Sequence, residues 1–205
     1  MLGLTTHLVF GLALSSLSIR KADLLDRADT AAICDVRAPT QYVVEDGAVG
    51  FMGKKIAFDP ETAHQKRVEA RLGTAIRDKA TVLIATDDSA EDLTVIGTAD
   101  LIPIPAGKGR RTTAPDMPNR LLLRNLWVAE SCRRQGIARQ LMSAVEDETT
   151  AQGITLLSLE VDRSNEAAIS LYMDLGFEDI DPAPVNLPKW MQGAMPALFL
   201  GKYLS

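Results

Sequence analysis

Cysteine and histidine are scarce in this 205-residue chain, at two of each, and they do not cluster: Cys34 and Cys132 lie far apart, no CxxC pair occurs, and the histidines are His7 and His64. That excludes a disulfide scaffold and leaves too few ligands for a structural zinc, so no metal is expected. A basic excess is missing too: 22 Lys and Arg stand against 27 Asp and Glu, a net charge of −5. Bulk attraction to nucleic acid or to an anionic membrane is therefore not expected, although the charge names no partner. Long apolar runs are absent; Leu8 to Leu14 is too short to span a bilayer as a helix. With 46% apolar and 24% charged residues, the composition excludes a disordered chain, a collagen-like repeat and a polytopic membrane protein.

Met1 to Ser16 contains no Lys, Arg, Asp or Glu. The Leu8–Leu14 run has the character of a signal-peptide core, and Ala13-Leu14-Ser15 is a weak small-x-small site, but no basic residue precedes it. A presequence and a first strand or loosely packed terminus both remain open, as do a plastid and a cytoplasmic location. Residues 1–16 are accordingly set apart from a single domain over 17–205.

From Ile19 onward helical and strand periods alternate. Asp23 is positioned to cap a helix running to about Val36, with Asp26 in its first turn. A loop with Pro39, Gly47, Gly50 and Gly53 leads to Pro60, and Val68, Leu72, Ala75 and Ile76 predict a second, amphipathic helix. Thr81–Ala85 and Thr94–Ile104 read as a strand hairpin, and Pro105 to Asn119, with Lys108, Arg110 and Arg111, as a basic exposed loop. Arg120–Val128 predicts a third strand, followed by a helix from about Gln135 with Ile137, Leu141, Ala144, Val145 and Glu148 on one stripe. Thr155–Val161 is a strand. Ser164 or Asn165 caps a helix with Ala168, Leu171, Tyr172 and Leu175 on one face, closed by Gly176. Phe177–Ile180 and Ala197–Tyr203 complete the strands; Trp190, Met191 and the Ala197–Leu200 run read as core and closing strand, with an interface as the alternative. The whole is one α/β domain with a mixed sheet.

The chemistry concentrates in Asn125-Leu126-Trp127-Val128-Ala129-Glu130-Ser131-Cys132-Arg133-Arg134-Gln135-Gly136-Ile137-Ala138-Arg139. A strand ends at Val128 and a helix begins near Gly136, so the first-turn N–H groups are unpaired at the positive end of a helix dipole, a site suited to phosphate. Gly136 and Ala138 leave the backbone uncovered, and Arg133 and Arg134 add charge. Neither GxxxxGK[ST] nor GxGxxG occurs, which removes P-loop and dinucleotide-fold readings. An ordinary strand-to-helix turn with surface arginines is the alternative.

Arg133-Arg134-Gln135-Gly136-Ile137-Ala138 resembles the pyrophosphate motif of the GNAT family of N-acetyltransferases, Gln or Arg, two residues, Gly, one residue, then Gly or Ala. Asn165-Glu166-Ala167-Ala168-Ile169-Ser170-Leu171-Tyr172-Met173-Asp174-Leu175-Gly176-Phe177 resembles that family's second signature, in the same order along the chain. The resemblance implies a GNAT fold with two splayed central strands and acetyl-CoA as cosubstrate. It implies that Leu126, Trp127 and Val128 offer backbone to the pantetheine arm and the thioester carbonyl, that residues 133–139 (Arg133, Arg134, Gln135, Gly136, Ile137, Ala138, Arg139) hold the pyrophosphate, and that Asn165 and Tyr172 face the ligand. Tyr172 is then the general acid toward the leaving thiolate, since a phenol with a reference pKa of about 10 keeps its proton at neutral pH. Leu159-Glu160-Val161 is similar to the segment that supplies a base in bacterial ribosomal-protein alanine acetyltransferases, which makes Glu160 the candidate base. Ser158 and Glu160 share one strand face, opposite Leu157, Leu159 and Val161. A plain solvent-facing carboxylate is its other reading.

A protein α-amine titrates near 7.7 to 8.0 and a lysine near 10.4, so lysine acetylation leans harder on a base. The expected activity is acetyl transfer from acetyl-CoA to a protein or peptide amine, N-terminal α-amines first and lysines second. The phosphate-loop segment is also similar to plant plastid members that accept both. A small-amine acetyltransferase and a non-catalytic acyl-CoA-binding module are the alternatives; oligomeric state is not legible.

Overall fold

The computed structural model describes residues 16–37, 50–51, 54–55, 73, 76, 79–89, 93–107, 117–180 and 197–205. Outside them lie residues 1–15, the loop prolines and glycines at 39, 47 and 53, most of the predicted second helix, the basic residues at 108, 110 and 111, and Trp190 with Met191. Gly73 and Ile76 of that helix are described and are helical, with Ile76 exposed.

The described strands are β1 (Leu17–Lys21), β2 (Gly50–Phe51), β3 (Lys54–Lys55), β4 (Thr81–Asp87), β5 (Val95–Ile104), β6 (Arg120–Val128), β7 (Leu156–Asp162), β8 (Glu178–Asp179) and β9 (Ala197–Tyr203). The helices are α1 (Arg27–Arg37), α2 (Ile137–Ala151) and α3 (Glu166–Asp174). Seven strands form one sheet in the order β1-β4-β5-β6-β7-β9-β8, while β2 and β3 pair separately. Within the seven-stranded sheet, β6 and β7 run parallel, joined through α2, and the other neighbours are antiparallel. The mixed α/β sheet is the one expected.

Hydrophobic alternation assigns the two faces of the sheet. Leu83, Ala85, Ala99, Leu101, Leu121, Leu123, Leu157 and Leu159 are buried together with Ile137, Leu141, Met142 and Val145 of α2. On the other face Val82, Ile84 and Val95 meet Ile33 and Cys34 of α1. Gly97 lets α2 approach: a Cβ there would stand 2.9 Å from Leu141 Cδ1 and 3.1 Å from the Trp127 carbonyl oxygen. Burying a Leu-sized side chain contributes about 1.5 to 3 kcal/mol, so this double-sided apolar sheet is the main source of stability.

Several boundaries move for local reasons. Asp26, not Asp23, caps α1, accepting from the Ala28 N–H at 3.0 Å, because Asp23 is occupied one turn earlier by the Leu25 N–H at 2.9 Å. Asp29, buried in the first turn, accepts from Arg20 Nη1 at 2.7 Å, Arg20 Nη2 at 2.5 Å and the Asp23 N–H at 2.7 Å. The Arg20 guanidinium holds the Asp29 carboxyl below the usual range and ties α1 to β1. On α2 the buried stripe is Ile137, Leu141, Met142, Val145 and Thr149; Glu148 lies beside it and reaches Lys21 at 2.8 Å. Thr149 is tolerated there because its hydroxyl donates to the Val145 carbonyl at 2.6 Å.

Candidate functional site

β6 and β7 are hydrogen-bonded only from Arg120↔Leu156 to Leu123↔Leu159. Beyond that rung Arg124–Val128 continues along β5 while Glu160–Asp162 continues along β9, so the two parallel strands part. The peptide groups of β6 past Leu123 thus have one edge without a ladder partner from β7, which is where a ligand arm can find hydrogen bonds.

At the wide end of this gap the chain turns into α2. The Ala129 N–H donates to the Ile96 carbonyl at 2.8 Å, and a 3-10 turn at Glu130–Cys132 follows. Arg133 is extended, then Arg134 at φ +63° and Gly136 at φ +83° adopt the left-handed conformation on either side of Gln135. Gly136 caps α2 without a side-chain hydrogen bond, leaving the first-turn amides of the helix open. A Cβ on Gly136 would meet no protein atom within 4 Å, so the space beside Gly136 is clear. The side chains brace the loop from beneath: Arg133 Nε donates to the Val128 carbonyl at 3.2 Å and Gln135 Nε2 to that of Ser131 at 3.3 Å.

The loop forms one wall of a cleft of about 560 Å³ whose lining includes Val128, Arg133, Arg134, Gly136, Ile137, Ala138 and Arg139. Val128 belongs both to the diverging part of β6 and to the cleft. Ala167, Ser170, Leu171 and Asp174, one face of α3, form the opposite wall. Arg139 bridges to Asp174 across it, Nη2 to Oδ2 at 2.8 Å.

The matched GNAT acetyltransferase family model covers residues 55–177, the span from β3 through this cleft to the end of α3. The chain belongs to the GNAT family. Within it, the chain is similar to the ribosomal protein bS18 alanine N-acetyltransferase of Escherichia coli, at 44% identity over 55 residues, which is 27% of this chain and 37% of that enzyme. The fold is that of GNAT structures. The ribosomal-protein-alanine N-acetyltransferase of Brucella melitensis superposes with a TM-score of 0.55 at 23% identity, over 91% of this chain and 99% of that one. The PaiA N-acetyltransferase of Thermoplasma acidophilum, in complex with coenzyme A, gives 0.58 at 20% identity, over 92% and 99%.

In this GNAT chain the motif residues divide into two groups. Arg133, Arg134, Gly136, Ile137, Ala138, Arg139 and Val128 converge on the cleft, with Gln135 bracing the loop. Leu126 and Val128 lean on the core under α2, and Trp127, opposite Thr98, points to the other face. Asn165 caps α3, its Oδ1 accepting from the Ala168 N–H at 3.2 Å. Tyr172 lies deeper, 7% exposed, its ring 5.7 Å from that of Phe177, and burial pushes its phenol up to about 12. Glu160 is exposed at the start of the diverging part of β7, on the sheet face away from Tyr172.

Ser170 and Asp174 on the far wall escaped the sequence reading, as did Cys132, because nothing local marks them as cleft residues. Asn125 at φ +52° in mid-strand carried a signal: Arg124-Asn125 interrupts an apolar run, and Asn tolerates that conformation.

Proposed function

We propose that the protein is an acetyl-CoA-dependent N-acetyltransferase whose acceptor is a protein or peptide amine, with N-terminal α-amines preferred over lysines. The observation that carries this reading is the continuity of the arginine-lined cleft, through Val128, with the gap between β6 and β7. The residues present fit the phosphate end of coenzyme A: open first-turn amides, clear space beside Gly136, and Arg133 and Arg134 at the rim. Acetyl-CoA would supply the activated acyl thioester.

The chain's own groups then have distinct tasks. Loop amides and arginines anchor the anionic end. The edge of β6 at Leu126, Trp127 and Val128 that β7 leaves orients the acyl arm and offers N–H donors to charge developing on the carbonyl oxygen. Tyr172 holds a proton that it does not lose in the physiological range, as a donor to the departing sulfur must. Glu160, at the opposite face of the opening, accepts the amine proton through water. Two relations support a protein substrate: the Escherichia coli similarity is to an enzyme named for ribosomal protein bS18, and the NatC complex bound to a Gag peptide and CoA shares the fold at a TM-score of 0.59 and 17% identity.

Free-thiol release from acetyl-CoA, measured with N-terminal peptides, N-blocked lysine peptides and polyamines, tests the proposal. Turnover is expected on the first class and more weakly on the second. Turnover confined to polyamines overturns the substrate assignment, and coenzyme A binding without any turnover overturns the enzymatic one.

A further inference from the structure

The irregularity in β6 lies two residues past the last rung it shares with β7. Asp100 faces Arg124 and Thr98 faces Trp127, so two steps along β5 correspond to three along β6, and Asn125 takes up the extra residue at φ +52°. Gly97, Ala99 and Leu101 face α2, which places Thr98 and Asp100 on the other side of the sheet. Both are buried, and both hold Asn125: its Nδ2 donates to Asp100 Oδ2 at 2.5 Å, and Thr98 Oγ1 donates to its carbonyl oxygen at 3.1 Å. An inserted residue shifts every following side chain and peptide group by one position in the pleat. The orientation of the Leu126, Trp127 and Val128 peptides along the gap therefore depends on whether Asn125 keeps its left-handed conformation.

We infer that Asp100 is a positioning residue for acyl transfer: with Thr98 it clamps the bulge at Asn125 and so fixes which backbone groups of Leu126–Val128 border the gap between β6 and β7. The inference rests on the acetyl-transfer reading above. Asp100 lies on the sheet face away from the α2–α3 cleft, and through Asn125 it acts on the strand. Its loss should therefore weaken the acyl step while leaving the anchoring of coenzyme A to the loop at Arg133–Arg139 intact.

The test compares Asp100→Ala and Asp100→Asn with the wild type in three readouts: kcat on the preferred amine, coenzyme A affinity by calorimetry, and site-resolved amide hydrogen exchange. Asp100→Ala should lower kcat by about 100-fold, the scale of a reacting group displaced by roughly 1 Å. Coenzyme A affinity should be unchanged, and faster exchange should be confined to Asn125–Val128, with Ile137–Arg139 unaffected. Asp100→Asn, whose carboxamide oxygen still accepts from Asn125, should restore most of the rate. Loss of rate and coenzyme A affinity together, or unchanged exchange at Leu126–Val128, overturns the inference. Should Asp100→Ala fail to fold, Asn125→Ala and Asn125→Gly replace it: glycine, free to adopt positive φ, should retain more activity than alanine, and equal activity overturns the clamp. If the wild type turns over no amine while the exchange effect is localised as described, the clamp stands and the acetyl-transfer reading falls.

Discussion

Burial sets the protonation of Tyr172, on which its proposed role rests. A phenol raised from 10 to about 12 by desolvation is a weaker acid than a free tyrosine and keeps its proton throughout the physiological range. Tyr172→Phe should lower kcat by about 100-fold with little change in the KM for acetyl-CoA. The same shift has a consequence for stability. The unfolded chain ionises Tyr172 near pH 10 and the folded one near 12, so between those values the unfolded state binds fewer protons, and stability falls as pH rises. The loss approaches about 2 to 3 kcal/mol by pH 12. Melting temperatures followed from pH 9 to 12 should decline more steeply for the wild type than for Tyr172→Phe. Gly136 is the complementary case, where the proposed role falls to the backbone. Alanine there meets no protein atom, but φ +83° makes it strained by about 1 kcal/mol, and the loop that presents the first-turn amides is strained with it. Acetyl-CoA affinity should fall about tenfold, or on the order of 1.4 kcal/mol, as read by calorimetry on the folded variant. Gly136 and the arginines beside it were legible in the sequence because their chemistry is local. Asp100, 25 positions from the Asn125 it holds, was not.

At the scale of elements, regular periodicity was the readable part. Arg120–Val128 and Ala197–Tyr203 are found as expected, because each is a run dense in apolar residues. β1 was missed: it is short, half-exposed and ends in Arg20-Lys21, and only its pairing with β4 makes it a strand. The mutual placement of α2 and α3 was equally hidden, although it builds the cleft. The Arg139–Asp174 bridge between them spans 35 positions and is half-exposed at both ends. Such a pair contributes little to stability, about 0.2 to 1 kcal/mol. Its larger effect is electrostatic, since Asp174 places a negative charge in a cleft otherwise lined by three arginines. Asp174→Asn should leave thermal stability nearly unchanged while tightening coenzyme A binding, and the gain should shrink as salt is added. Calorimetric titrations at two ionic strengths check both parts.

One helix, α2, packs across the seam between β6 and β7. The seven-stranded sheet divides where β6 and β7 share only the rungs from Arg120↔Leu156 to Leu123↔Leu159, yet the core beneath α2 takes Leu83, Ala99 and Leu121 from one side and Leu157, Leu159 and Leu200 from the other. Unfolding should therefore be a single cooperative transition, with circular dichroism and tryptophan fluorescence giving coincident denaturation curves. Ser158 also ties the seam, its buried hydroxyl donating to the Leu121 carbonyl at 3.3 Å. The divergence beyond Leu123 is thus fixed by hydrogen bonding and packing on both sides, like a crack whose tip is riveted and whose flanks are splinted. An arm that enters does not have to separate two bonded strands; that separation is complete once the chain has folded. Affinity spent elsewhere on reorganisation is here left for orientation.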